Sequence, residues 1–72
     1  MPFYKPTDAK GLYYTLQAVN EYADVKRTDK VRAIGAGETF RVIEIVRYGT
    51  CYYLKTADRT YITADKEFVV KA

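Results

Sequence analysis

Five tyrosines and four clustered cations are the residues of this chain best suited to meet a ligand. Tyr13, Tyr22, Tyr48, Tyr53 and Tyr61 belong to a set of eight tyrosines. Each offers a flat apolar ring tipped by a hydroxyl, which suits stacking on sugar rings, peptide planes or bases. The same rings can instead pack on the chain's own loop and N-terminal segment as core for a small domain, and the sequence leaves that choice open. Lys26, Arg27, Lys30 and Arg32 stand within one short stretch, and such a cluster binds phosphate-bearing polymers through counterion release. Asp24 and Asp29 are interspersed and neutralise part of it, so a solvated loop is the competing reading.

Catalytic constellations are weak by comparison. Asp58 with Asp65, or Glu38 with Glu44, supplies the paired carboxylates of a glycosidase. Such pairs need a deep cleft to raise one pKa, and a chain of 72 residues rarely builds one. Cys51 has no histidine to activate it, because the chain has none. A single cysteine also excludes an internal disulfide and a cysteine-rich zinc site. The expectation is a non-enzymatic protein with no cofactor and no metal.

Positioning these residues requires a fold, and the composition bounds it. The length allows one domain, which buries only about 60% of the surface its unfolded chain exposes. A hydrophobic fraction of 49%, with three Phe beside the tyrosines, is far above that of a disordered chain. No apolar run reaches the roughly 18–20 residues that span a bilayer, and Met1 to Lys5 lacks a signal-peptide h-region. The net charge of +3 favours anionic partners slightly.

Residues 1–11 carry Pro2, Pro6 and Gly11 and read as an irregular lead-in, with Phe3 and Tyr4 placed to tuck against the body that follows. Leu12 to Val19 fits two templates. As a strand it puts Leu12, Tyr14, Leu16 and Ala18 on one face and Tyr13, Thr15, Gln17 and Val19 on the other; as a helix it aligns Leu12, Leu16, Val19 and Ala23. Asn20 to Lys30 reads as a long polar loop, Val31–Ile34 as a short strand, and Gly35-Ala36-Gly37-Glu38 as a turn. Thr39 to Tyr48 is a long strand whose apolar phase changes from Phe40 and Val42 to Ile43 and Ile45, the mark of a bulge. Cys51 to Thr56 and Thr60 to Thr63 follow as hairpin strands, with Tyr52, Leu54, Thr60 and Ile62 expected inside and Tyr53 and Tyr61 outside. Ala64 to Glu67 is long enough for one 3₁₀ turn, and Phe68-Val69-Val70 is the closing strand.

This order of elements resembles the SH3-like barrel. Val31-Arg32-Ala33-Ile34, Gly37-Glu38-Thr39-Phe40-Arg41-Val42, Tyr53-Leu54-Lys55-Thr56 and Tyr61-Ile62-Thr63-Ala64-Asp65-Lys66 are similar to bacterial SH3-like modules. Such modules occur, often as repeats, in surface proteins and wall hydrolases of lactobacilli and related Gram-positive bacteria. The resemblance spans residues 12–70 and is the reason for taking Leu12 to Val19 as a strand. It implies an all-β, small SH3-like barrel of about five strands over residues 12–72, with a long first loop and a single 3₁₀ turn before the last strand.

By the same resemblance, the module anchors a longer secreted or surface protein to the cell wall. Its partners would be wall glycan, peptide stem or teichoic acid, and it would act as a monomer or as one repeat. A nucleic-acid-binding barrel and a structural spacer or protein-interaction module are the alternatives. Two departures bear on this. Asp58-Arg59 replaces the Asn-Gly that suits a two-residue I′ turn. No tryptophan is present, and Thr63 stands where the groove for proline-rich peptides has its proline, which argues against that ligand.

Overall fold

The structure, a computed structural model, describes residues 2–72. It is all-β: β1 (Gly11–Thr15), β2 (Val19–Tyr22), β3 (Lys30–Ile34), β4 (Thr39–Tyr48), β5 (Cys51–Thr56), β6 (Tyr61–Thr63) and β7 (Val69–Lys71). They form one antiparallel sheet in the order β3-β2-β6-β5-β4-β1-β7. The strand count is therefore seven rather than about five, and the sheet is not closed. Ile34 on edge strand β3 and Val69 on edge strand β7 nevertheless belong to one core cluster with Tyr13, Val19, Val42, Ile45, Leu54, Ile62 and Ala64. The sheet coils around that cluster without its edges pairing.

The coil has a local cause in β4. Its register against β5 shifts between Val42 and Glu44, so the inward positions change from Val42 to Ile45, both buried, while Ile43 is exposed. An extra residue on one strand bends it and steepens the twist, as the phase change in the sequence implies. Buried residues on β5 come from both faces, Leu54 and Thr56 from one and Tyr53 from the other. This is the central strand of the seven, and both of its faces are covered.

Leu12 to Val19 is extended but is not one strand. β1 ends at Thr15 and β2 begins at Val19, and the buried side carries Tyr13, Thr15 and Val19. Thr15 makes the break. Its hydroxyl donates to the Gly35 carbonyl at 2.7 Å and accepts from the Glu38 amide at 3.0 Å, fastening the glycine turn to the end of β1. The expected long loop from Asn20 to Lys30 is shorter, because Asn20 to Tyr22 pair with β3. In β3 the inward residue is Ile34, while Val31 and Ala33 are exposed.

Asp65 to Phe68 forms a hydrogen-bonded turn and no helix. The Phe68 amide donates to the Asp65 carbonyl at 2.9 Å, and the Glu67 amide donates to the Asp65 carboxylate. β7 then pairs with β1 at the sheet edge. The lead-in packs as the aromatics imply. Phe3 bridges to Asp65, and the Tyr4 ring meets Tyr13 edge-on at 5.0 Å. Its hydroxyl accepts from the Lys71 amide at 3.0 Å.

Candidate functional site

The loop between β2 and β3 is held by Asp24. Its carboxylate accepts from the Thr28 amide at 2.9 Å, the Asp29 amide at 3.2 Å and the Thr28 hydroxyl. The Thr28 hydroxyl bond leads in holding the Asp24 carboxyl below its ordinary pKa. The Ala23 amide donates to the Asp29 carbonyl at 2.8 Å and closes the loop at its base. At the tip, Arg27 adopts a left-handed backbone with φ 62°. That conformation costs a residue with a Cβ about 1–2 kcal/mol, and such strain is often kept where a side chain must be aimed. Here the guanidinium lies 5.7 Å from the centre of the Tyr53 ring.

Beneath the loop is a cleft of about 280 Å³. Tyr22, Tyr53, Arg27, Asn20, Thr63 and Phe68 line most of it, with Ala18 and Val19 completing the wall. Strand pairing explains the assembly: Tyr53 is opposite Thr63 across β5 and β6, and Tyr22 is opposite Tyr61 across β2 and β6. Burial raises the Tyr53 hydroxyl above its ordinary pKa, the Arg27 charge opposing. The Asn20 amide donates to the Tyr22 hydroxyl at 3.4 Å, leaving the Asn20 side-chain carbonyl free to accept.

The aromatic set is thus partly gathered. Tyr22, Tyr53 and Tyr61 share the outer face of neighbouring strands, and Tyr61 carries Lys55 over its ring at 5.9 Å. Tyr48 is exposed at the end of β4, pairing with Cys51 beyond the Tyr53 row. Two expectations fail. Tyr13 is wholly buried in the core, because the odd positions of β1 face inward. Tyr53 lies on the outer side of its strand but is only 5% exposed, with Arg27 of the Asp24 loop over its ring.

The cation cluster is divided between the β2–β3 loop and strand β3. Lys26 and Lys30 are exposed, Arg27 turns to the cleft, and Arg32 pairs with Glu21 through Nε at 2.7 Å. Glu21 is buried, and its second oxygen accepts from the Thr60 hydroxyl, which also meets the Thr56 hydroxyl at 2.6 Å. Burial would raise the Glu21 carboxyl, but the bonds from Thr60 and Arg32 and the Arg32 charge outweigh it and hold the pKa below its ordinary value. Reciprocally, the Glu21 bond and charge raise Arg32. A single continuous basic patch is therefore not built.

The family model described as "Domain of unknown function (DUF5776)" matches residues 4–69. The chain belongs to that family. No curated protein and no solved structure gives a significant match. The family span includes every cleft residue, from Ala18 to Phe68, and it takes in Tyr4 of the lead-in.

Asn20, Thr63 and Phe68 are the cleft residues that residue-type reasoning passes over. Thr63 carries the one available signal, as the replacement for a proline in the resemblance. Asn20 gives none, since it reads as loop. Of the carboxylates considered for catalysis, Asp65 is buried capping its own turn, and Glu44 is exposed opposite Lys55.

Proposed function

We propose that this domain is a non-catalytic binding module, related to SH3-like surface modules, that holds a longer protein to a polymer of the bacterial surface. The observation that carries the reading is the cleft: Arg27, held left-handed by the Asp24 loop, stands over Tyr53 and beside Tyr22. A volume of about 280 Å³ is at the lower limit of the ~300–1,000 Å³ typical of sites that enclose whole small molecules. It suits one unit of an extended ligand, with Tyr61 and Lys55 alongside for the next. Weak binding at one such cleft gains strength when the module is repeated or the ligand is polymeric.

The test is co-sedimentation with purified Gram-positive cell walls, before and after acid removal of teichoic acid, at low and high salt. Sedimentation that persists on stripped walls and falls in Tyr22→Ala is the expected result. Failure to sediment with either wall form removes the reading.

A further inference from the structure

The cleft presents a cation with no anion to match it. Among the described residues the one ion pair joins Arg32 to Glu21, so no carboxylate of the domain stands within ion-pair distance of Arg27. A guanidinium positioned by an aromatic ring keeps its N–H groups in plane, the arrangement that grips a carboxylate or phosphate through two parallel bonds. The remaining wall decides between these anions. Asn20 offers a free carbonyl able to accept from an N–H, while the Thr63 hydroxyl already accepts from the Asp65 amide at 3.2 Å and keeps its O–H to donate. A phosphodiester chain has no N–H to give, whereas a peptide has one at every residue. Lys26, Lys30 and Arg32, the further cations a polyanion would engage in series, do not line the cleft. Ala18 and Phe68 supply a small apolar wall.

We infer that the cleft binds the free carboxylate end of a short peptide with a small apolar last side chain. The Arg27 guanidinium pairs with the carboxylate, and Ala18 and Phe68 receive the side chain. The Asn20 carbonyl accepts the peptide N–H, and the Thr63 hydroxyl donates to a peptide carbonyl. The inference rests on the surface-polymer reading for where such a peptide end is met, but the site itself is tested separately.

The experiment is an NMR titration of the ¹⁵N-labelled chain with N-acetyl-Ala-Ala, its C-terminal amide, and dimethyl phosphate, in wild type and Arg27→Gly. Glycine relieves the left-handed backbone, so the variant is expected to fold, which its own amide spectrum reports. The expected result is saturable shifts at Asn20, Arg27, Tyr53 and Thr63 with the free acid. Binding should weaken at least about tenfold for the amide and for the variant. Equal binding of acid and amide, preference for dimethyl phosphate, or an unaffected variant overturns the inference. Chains that sediment with walls yet ignore the free acid overturn it while the surface reading stands. Binding of the acid without binding to walls supports the site and removes the surface reading.

Discussion

Replacing Glu21 by glutamine tests whether one buried carboxylate ties the two halves of the sheet. Glu21 is 5% exposed. It joins β2 to edge strand β3 through Arg32 and to the β5–β6 turn through Thr60. Glutamine keeps the volume and one carbonyl but places an NH₂ where the second carboxylate oxygen stood. The Thr60 hydroxyl can turn to accept from it, so both contacts survive: the Thr60 bond becomes neutral, while Arg32 still donates from a charged guanidinium and loses only its ion-pair attraction. A hydrogen bond to a charged group contributes about 1.5–3 kcal/mol against about 0.5–1.5 for a neutral one, a difference near 1 kcal/mol for the Thr60 bond.

The Arg32 side chain is 66% exposed, so its share is screened. The expected loss for Glu21→Gln is then about 1–2 kcal/mol at neutral pH. In a domain of this size each kcal/mol moves the Tm by roughly 4–8 °C. Because the folded-state carboxyl lies below its unfolded value of about 4.3, the stability it contributes is complete above that pH. It is lost as pH falls through the folded value. Urea unfolding of both proteins at pH 7 and pH 2.5 should therefore show a gap that narrows in acid. A gap below about 0.3 kcal/mol at pH 7, or one that is unchanged at pH 2.5, refutes the assignment of Glu21 as a charged tie.

Two further substitutions probe the backbone and the core. Arg59 has φ 63° at the end of the Ala57–Arg59 turn, where its amide donates to the Thr56 carbonyl at 2.9 Å. Relief of the left-handed cost less the added unfolded-state freedom predicts that Arg59→Gly raises stability by about 0.5–1 kcal/mol, read as a higher urea midpoint with an unchanged slope. Leu54, fully buried on the central strand, should cost about 2–5 kcal/mol as Leu54→Ala. In so small a domain that is enough for thermal melting to show a substantial unfolded fraction at 37 °C.

The hairpins of the second half were legible because their signals are local. Gly49, with φ 64°, marks a turn that favours glycine. The alternation of Leu54 and Ile62 names the inward face, and the Val42–Ile43 phase change announces the bulge. Asp58-Arg59 was legible as a misfit to a two-residue turn. The structure answers it with the three-residue Ala57–Arg59 loop that ends on a left-handed residue. Harder to read was the first half. Asn20-Glu21-Tyr22 looks like loop on polarity, and it becomes a strand because Glu21 finds Arg32 and Thr60, partners 11 and 39 residues away.

Residue types and short-range spacing by themselves determined the strands and turns of the second half and the identity of the aromatic and basic side chains the domain has to use, and left Leu12 to Val19 open between strand and helix. Tertiary structure alone decided which of those side chains meet. The β2–β3 loop carries Lys26 and Arg27 and strand β3 carries Lys30 and Arg32, and packing sends Arg32 to Glu21 and Arg27 to the cleft. Central position buries Tyr53 on a face its own strand would expose, and Tyr13 enters the core because the face of β1 bearing Thr15 and Val19 is the one the coiled sheet encloses. For the two tyrosines the physical reason is the same: alternation along a strand names two faces, but only the strands and loops packed against them settle which face is wet.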